Sequence, residues 1–409
     1  MNINIYISFR SLNKRRRSRN ILRININMHP ILLILLIIIV GILLFRLYFR
    51  VKYPFWSRQP VFHLHNLMWW IMPPGIISEE LPNMDRLIDV DRIRFYPIQK
   101  CPSSVLQRAQ QFIKNHYLRD SDCHFNPSMK NLLPYFEYHI VPSFISLDLK
   151  NSSTSDIAGV MTTRPLFMFD NGSITPLFYV DYLCVNPNNR KSDVATSLIH
   201  NHHYHQRRSE PQVYLSLFKR EGKLMNLVPF CVYNTYFLCN EQLEKRIAKS
   251  NLACTLLVNK TDMFDIVYSD ICNSSLTVIT PSDENLKHLI GTKNLYLFSF
   301  VNAKGVIASF FVRDQTCLYK GKRTAALYAS FYKKKLANNV IMPMLYKISC
   351  TLSRMGFKYT SFEDVGMNAQ WIPELISRYG ERSTKSSPTG YYWYNFGQRP
   401  KMAKDVMFL

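Results

Sequence analysis

The sequence lacks the cysteine and aromatic patterns that mark zinc-binding and RNA-binding proteins. Its nine cysteines form no C-x-x-C pair and fit no zinc-finger spacing. No RNA-binding sheet motif is present, so we predict no nucleic-acid partner. Unpaired cysteines favour reduced, mostly buried thiols and a cytosolic setting. The nine are Cys101, Cys123, Cys184, Cys231, Cys239, Cys254, Cys272, Cys317 and Cys350.

Acidic residues are scarce as well. The chain has 28 of them against 51 lysines and arginines, which gives a formal net charge of +23. Such a balance favours anionic partners, for example a membrane surface or a polyphosphate cofactor. Seven basic residues precede Met28 with no acidic residue among them: Arg10, Lys14, Arg15, Arg16, Arg17, Arg19 and Arg23.

Charge is absent from "MHPILLILLIIIVGILLF", residues 28 to 45. A helix of this length spans roughly 27 Å at about 1.5 Å per residue, close to the hydrocarbon thickness of a bilayer. We therefore predict a basic segment over 1–27 and a transmembrane anchor over 28–49. A cleaved signal peptide is the alternative, but no small-residue cleavage site follows.

The stretch "VDYLCVNPNNRKSDVATSLI", residues 180 to 199, joins an apolar strand to a helix through a polar turn. Backbone N–H groups at a helix N-terminus, with Arg190 and Lys191 beside them, could hold a phosphate group. An ordinary strand-turn-helix junction explains the pattern equally well, because no nucleotide-binding glycine pattern accompanies it. The histidines from 200 to 205 are too crowded for an obvious metal site, and we expect a polar helix face there.

Apolar runs and helix signals predict two similar halves. Strands are expected near 157–161, 177–185, 212–218 and 227–233, with a helix near 193–206. After a helix start at Thr280-Pro281-Ser282-Asp283, strands are expected at 295–301, 306–312, 325–331, 359–362 and 391–396, with a helix at 341–355 ending at Gly356. This order predicts an α+β fold with mixed β-sheets, divided into 50–245 and 246–409.

Four segments in the same order resemble the eukaryotic N-myristoyltransferases, whose fold is two fused acetyltransferase-like (GNAT) halves. They are "YPFWSRQPV" (53–61), "DYLCVNPNNRKSDVATSLI" (181–199), "GFKYTSFEDVGMN" (356–368) and "YYWYNF" (391–396), which a short tail with an apolar end follows. The resemblance covers residues 53 to 409. It implies an acyl-CoA-binding first half and a peptide-binding second half.

By this resemblance, the enzyme moves a myristoyl group from myristoyl-CoA, its co-substrate, to the N-terminal glycine amine of a protein. No permanently bound cofactor and no metal are implied. The backbone N–H groups of Tyr182 and Leu183 would form an oxyanion hole for the thioester carbonyl. The terminal carboxylate of Leu409 would be the base, and burial beside Met407 and Phe408 is expected to strengthen it. A frayed tail is the alternative.

The resemblance also implies the ligand contacts. Those with the CoA moiety are Tyr53, Phe55, Trp56, Cys184, Val185, Arg190, Lys191, Ser192, Asp193, Val194 and Ala195. Those with the acceptor peptide are Asp181, Tyr233, Thr235 and Asp364. Phe55 and Trp56 could equally be core aromatic residues.

Several positions depart from the family pattern. Asp193 replaces a basic residue at the phosphate site, where it could instead cap the helix. Thr235 replaces a histidine and Asp181 an asparagine, and the glycine-rich loop is replaced by residues 380–390. Two alternatives therefore stay open. The chain could acylate another amine, on a lysine or a small molecule, or it could bind acyl-CoA or a lipidated peptide without turnover.

The side of the membrane on which the catalytic portion lies is ambiguous from the sequence. The basic run before residue 28 predicts a cytosolic N-terminus and a lumenal catalytic portion. If the chain started at Met28, the basic residues from Arg46 to Arg58 would hold that portion in the cytosol, where acyl-CoA is found. We expect the cytosolic arrangement. Glycosylation sequons begin at Asn151, Asn171, Asn259 and Asn273, and their use would indicate the lumen.

Overall fold

A computed structural model describes residues 2–9, 20–27, 30–84, 88–118, 122–149, 156–246, 254–380 and 385–409. The chain divides into two compact units, residues 1–59 and 60–409. The basic residues from Arg10 to Arg19, Met28 and Asn151 lie outside the described residues. The predicted boundary at residue 245 between two halves stays a prediction.

The N-terminal unit contains an antiparallel pair of strands and one long helix. The strands are β1 (Asn2–Phe9) and β2 (Asn20–Asn27), and the helix is α1 (Pro30–Lys52). Within the described residues, α1 is the helix long and apolar enough to cross a membrane, and almost all its apolar side chains are exposed. It ends three residues beyond the predicted span. Signal sequences meet the same criterion of length and composition.

The larger unit contains both strands and helices. Its strands are β3 (Gly75–Ile76), β4 (Ile93–Pro97), β5 (Cys123–Phe125), β6 (Phe144–Leu149), β7 (Ile157–Asp170), β8 (Ser173–Val185), β9 (Leu215–Glu221), β10 (Cys231–Cys239), β11 (Thr255–Val258), β12 (Thr277–Thr280), β13 (Leu295–Asn302), β14 (Gly305–Tyr319), β15 (Lys322–Phe331), β16 (Phe357–Glu363), β17 (Lys385–Tyr394), β18 (Phe396–Gly397) and β19 (Val406–Phe408). Its helices are α2 (Met68–Ile71), α3 (Ser103–His116), α4 (Met129–Leu132), α5 (Val194–Ser209), α6 (Asn240–Arg246), α7 (Thr261–Cys272), α8 (Asp283–Gly291), α9 (Asn338–Arg354) and α10 (Ile372–Tyr379).

Most strands join one large mixed sheet. Its main path runs β11-β13-β14-β15-β16-β10-β17-β9-β8-β7-β12-β19. The pairs β8–β9, β15–β16 and β12–β19 are parallel, whereas the others along this path are antiparallel. Strands from early and late in the chain thus share one sheet, and the predicted α+β class with mixed sheets is confirmed.

Local signals explain several element ends. Ser282 caps α8, since its hydroxyl accepts the backbone N–H of Asn285 at 3.3 Å, as the helix-start pattern predicts. Helix α9 ends before Gly356, whose φ of 89° suits a glycine C-cap. The strands expected at 212–218 and 227–233 begin three and four residues later. All nine cysteines are free, but only Cys101, Cys184 and Cys231 are fully buried.

Helix α5 lies close against β7 because a glycine leaves room for it. A Cβ atom on Gly159 would come within 2.7 Å of Leu198 Cδ1 and 2.9 Å of Val194 Cγ1. Both side chains are buried beneath the first turns of α5. Gly159 therefore sets the position of the turn that precedes this helix.

The histidine-rich part of α5 is not the polar surface face that the sequence suggested. His202 is buried and bonds Ser146 Oγ through Nδ1 and Thr163 Oγ1 through Nε2, each at 2.8 Å. Burial and nearby His203 lower the pKa of His202 to about 3. A neutral imidazole thus fastens α5 to β6 and β7. Periodicity could not reveal this, because the polar partners lie on distant strands.

Candidate functional site

Strand β8 carries a β-bulge at Asp181. Thr162 of β7 pairs with Tyr182, whereas Thr163 pairs with Val180, so Asp181 is the extra residue. A bulge interrupts the regular hydrogen-bond ladder and can turn backbone groups away from it. The backbone N–H of Tyr182 donates to Thr162 Oγ1 at 3.2 Å, and the Leu183 side chain is exposed. The two predicted oxyanion donors therefore lie at an irregular point of the sheet.

The side chain of Asp181 is buried beside a guanidinium group. Arg164 Nε donates to Asp181 Oδ1 at 3.0 Å, while Oδ2 has no hydrogen-bond partner among the described residues. Burial raises the pKa of Asp181, and the charge of Arg164 partly opposes this rise. A buried carboxylate oxygen without a hydrogen-bond partner lowers the stability of the fold unless a ligand or a water molecule donates to it.

The predicted phosphate site forms the turn between β8 and α5. Arg190, Lys191, Ser192 and Asp193 are all exposed there, and Ser192 Oγ donates to the Asn189 carbonyl at 2.6 Å. Asp193 occupies the N-cap position of α5, but its side chain makes no capping hydrogen bond, so the predicted cap is wrong. Its φ of 58° is left-handed, unlike the extended conformation of ordinary caps.

The remaining predicted CoA contacts differ in their surroundings. Cys184 is buried, and burial raises the pKa of its thiol to about 12. Val194 packs under Gly159, and Val185 and Ala195 are half-buried. Tyr53, Phe55 and Trp56 belong to the N-terminal unit. The Tyr53 N–H donates to the Phe49 carbonyl at 2.8 Å, and the ring centroids of Phe55 and Trp56 lie 5.1 Å apart. As CoA contacts these residues stay predictions.

The C-terminal tail is an ordered strand. Strand β19 pairs in parallel with β12, and the Leu409 N–H donates to the Ile279 carbonyl at 2.8 Å. The Phe408 ring stacks on Tyr391 with centroids 3.8 Å apart. Leu409 is only 8% exposed, so the frayed-tail alternative is wrong.

Leu409 ends in a cavity with an empty volume of about 590 Å³, which includes open solvent at its mouth. Arg164 and Tyr179 reach the same cavity from β7 and β8, and Arg164 also holds Asp181. Arg164 thus connects the bulge to the cavity that Leu409 lines. The full lining is Tyr135, Arg164, Leu166, Tyr179, Leu217, Ile279, Pro281, Leu286, Leu289, Leu295, Arg313, Tyr328, Glu363, Tyr391, Phe408 and Leu409.

A buried charge network that the sequence analysis missed forms one wall. Glu363 accepts hydrogen bonds from Lys219 Nζ and Arg313 Nη2, each at 3.1 Å, and from Tyr233 Oη at 2.6 Å. Burial alone would lower the pKa of Lys219, but Glu363 and Glu221 together raise it. These residues come from β9, β10, β14 and β16. Their sequence separation hid the cluster, although Glu363 directly precedes the predicted Asp364.

The predicted acceptor contacts are only partly brought together. Tyr233 is buried and donates a hydrogen bond to Glu363, which lines the cavity. Thr235 Oγ1 lies 3.1 Å from Thr389 Oγ1 on the neighbouring strand. Asp364 N–H donates to the Asn234 carbonyl at 2.9 Å, and burial raises the pKa of its carboxyl. Glu363, rather than Asp364, lines the cavity. Residues 381–384 of the replaced loop lie outside the described residues.

By sequence, no protein-family model and no curated protein matches the chain. By structure, it is similar to Saccharomyces cerevisiae N-myristoyltransferase with bound myristoyl-CoA, at 12% identity and a TM-score of 0.64, over 86% of this chain and 94% of that one. A structure of that enzyme with bound myristoyl-CoA and inhibitors gives 12% identity and a TM-score of 0.65, over 88% and 94%. The predicted N-myristoyltransferase-like fold is therefore confirmed.

Proposed function

We propose that this chain, which has the fold of the N-myristoyltransferases, is an acyltransferase that moves a myristoyl group from acyl-CoA to the N-terminal glycine amine of a protein. The observation that carries this proposal is the burial of the C-terminal residue in a cavity beside a bulged strand. Chain ends usually lie in solvent, so an ordered, buried terminus needs a reason. Delivery of a carboxylate to a reacting amine is such a reason.

The bulge and the turn after it suit the acyl donor. In our proposal Arg190, Lys191 and the first N–H groups of α5 hold the phosphates of CoA. The thioester carbonyl then accepts hydrogen bonds from the N–H groups of Tyr182 and Leu183. Because negative charge grows on this oxygen only as the amine attacks, the two donors lower the barrier selectively. The Tyr182 N–H must exchange Thr162 Oγ1 for the thioester oxygen.

The terminal carboxylate of Leu409 suits the acceptor. A free α-amine has a pKa of about 7.7 to 8.0 and is mostly protonated at neutral pH. In our proposal the carboxylate takes this proton, and the neutral nitrogen attacks the thioester carbon to form a C–N bond. The C–S bond then breaks and CoA leaves as the thiolate. The new amide nitrogen loses its second proton to solvent, so no covalent enzyme intermediate forms.

The charged wall supports a second candidate function, transfer to a different amine. Arg164, Arg313 and Glu363 give the cavity both signs of charge, and such a lining selects acceptors with complementary polar groups. A lysine side chain or a small polar amine would satisfy the same geometry. The third possibility, binding without turnover, would follow if Thr162 kept the Tyr182 N–H permanently.

We further propose that α1 spans a membrane once, with the catalytic portion in the cytosol. A bilayer anchor suits an enzyme whose acyl donor and product both carry a lipid chain. The cytosolic side is the side where acyl-CoA is available. Acyl-CoA, N-terminal glycine proteins and the membrane are therefore the partners that we propose.

A semisynthetic chain with a C-terminal amide tests the catalytic proposal most directly. The amide keeps the size of Leu409 but removes the charge and the basicity. Full-length protein in detergent would be incubated with tetradecanoyl-CoA and a Gly-initiated peptide, and the product followed by mass spectrometry. We expect the amide to lower kcat at least about 100-fold, within the range for loss of a general base.

A semisynthetic chain with a free C-terminal carboxylate is the control. A peptide with a blocked N-terminus but a free lysine is the competing acceptor. Equal rates for amide and acid would show that Leu409 is not the base. Acylation of the lysine peptide alone would replace the glycine proposal by the second candidate.

A further inference from the structure

The larger unit has an exposed apolar surface in the part of the chain that comes before the first strand of the large sheet. It consists of five side chains between 44% and 83% exposed: Leu64, Leu67, Met68, Ile71 and Met72. We call this set the 64–72 surface. Soluble proteins rarely leave so many neighbouring large apolar side chains in water, so the surface needs an occupant.

The exposure is not the result of a loose loop. The ring of Trp69 lies against Gly397, where an added Cβ would meet Trp69 Cδ2 at 2.2 Å. Trp70 Nε1 donates to the Leu64 carbonyl at 3.1 Å, and its ring lies 5.1 Å from Phe62. The two tryptophans thus fasten the segment from within, and this arrangement turns the five other apolar side chains outward.

The chemistry of the segment indicates what covers it. No charged residue occurs from position 59 to position 78, and histidines and tryptophans flank the apolar side chains. Apolar residues with tryptophan beside them are typical of segments that enter the interfacial region of a bilayer. Protein–protein interfaces are also rich in tryptophan and methionine, so a protein partner is the alternative that the test has to exclude.

The position in the chain indicates which bilayer. Only residues 53 to 63 separate the end of α1 from Leu64. A fully extended chain of that length reaches about 40 Å at most. The basic residues Arg46, Arg50, Lys52 and Arg58 would meet lipid phosphates at the same interface.

We propose that the 64–72 surface inserts into the bilayer that α1 spans, and that it forms a second, peripheral membrane contact of the larger unit. This inference rests on the proposed membrane anchor. It gives the larger unit a fixed face toward the lipid, instead of free rotation on a tether. Tight attachment follows from two contacts because the second one is intramolecular.

Photolabelling of the full-length protein in lipid nanodiscs tests the inference. The probe is a phosphatidylcholine with a diazirine in its acyl chain, and labelled peptides are identified by mass spectrometry. We expect label in both α1 and residues 64–72. Label in α1 alone would overturn the inference and leave the anchor intact, whereas label in neither would overturn both.

The double variant Leu67→Glu with Ile71→Glu provides the matched test. We expect labelling of residues 64–72 to fall about tenfold or more, because carboxylates are costly in hydrocarbon. Label in α1 should not change. Ile174→Glu, at an exposed apolar position on the β7–β8 hairpin, is the control. Dimers of the unmodified protein with no label in residues 64–72 would assign the surface to a second copy of the chain and overturn the inference.

Discussion

Asp181 replaces an asparagine of the family pattern that the sequence resembles. Its Oδ1 is bonded to Arg164, and its buried Oδ2 has no partner among the described residues. An asparagine there would offer one acceptor and no charge. A carboxylate can instead accept a charge-assisted hydrogen bond from an ammonium group, which is roughly twice as strong.

We expect Asp181→Asn to raise KM for a Gly-initiated peptide about tenfold, because a hydrogen bond to a charged group contributes about 1.5–3 kcal/mol. The effect on KM for acyl-CoA should be small. Steady-state kinetics at pH 7 with each substrate varied separately would measure this. Glu374→Gln, at an exposed pair with Arg378, is the control. An unchanged peptide KM in a folded variant would exclude Asp181 as an acceptor contact.

Gly159 determines the position of helix α5 and takes no direct part in the proposed reaction. Its missing side chain lets α5 approach β7, and the turn before α5 carries the proposed phosphate contacts. Gly159→Ala would force Leu198 and Val194 outward by several tenths of an ångström or more. Overpacking of this kind typically costs about 1–3 kcal/mol.

We therefore expect Gly159→Ala to lower both the free energy of unfolding and the affinity for acyl-CoA. Thermal unfolding and isothermal titration with a non-hydrolysable acyl-CoA would measure the two effects. Gly291→Ala is the matched control, since nothing lies within 4 Å of the added Cβ and its backbone is not in the left-handed region. If Gly159→Ala lowered the Tm but left the affinity for acyl-CoA at the wild-type value, the turn before α5 would not be part of the acyl-CoA site.

We expect His202 to make the attachment of α5 sensitive to pH. Its folded pKa of about 3 lies below the ordinary value of 6.5, so the unfolded chain binds the proton more readily. The free energy of unfolding should therefore fall as pH drops from about 6.5 toward 3, at up to about 1.4 kcal/mol per pH unit for this group. His202→Gln should be less stable at pH 7 but show a flatter pH dependence.

Urea unfolding followed by tryptophan fluorescence between pH 4 and pH 7 would give both slopes. His200→Gln, at a half-buried neighbour on the same helix, is the comparison. Parallel pH profiles for wild type and His202→Gln would show that His202 is not the sensitive group.

At the scale of the whole molecule, a glycosylation site tests the proposed cytosolic placement of the catalytic portion. Asn171 lies in the tight turn between β7 and β8, is exposed, and begins the sequon Asn171-Gly172-Ser173. Because the cytosol lacks the glycosylation machinery, we expect no glycan at Asn171 in cells. A glycosidase-sensitive mass shift that Asn171→Gln removes would place the catalytic portion in the lumen.

The sequence by itself determined the fold class and several of the elements. Local patterns were enough for the start of α8 after Ser282 and for the end of α9 before Gly356, because these capping residues lie next to the helix ends in the chain. The apolar run of α1 was predicted to within a few residues, because length and lack of charge are local properties. Four separated motifs then predicted the fold that the structural comparison confirms.

Only the tertiary structure decided what surrounds each functional group. Glu363, Lys219 and Arg313 come from strands far apart in the chain, and the sheet order alone makes them neighbours. The sequence predicted His202 on a polar surface face, but it is buried, with hydrogen-bond partners on β6 and β7. The burial of Leu409 likewise depends on pairing between β19 and β12, more than a hundred residues apart. Pairwise contacts of this range leave no periodic signal in the sequence, because each partner lies in a locally ordinary strand.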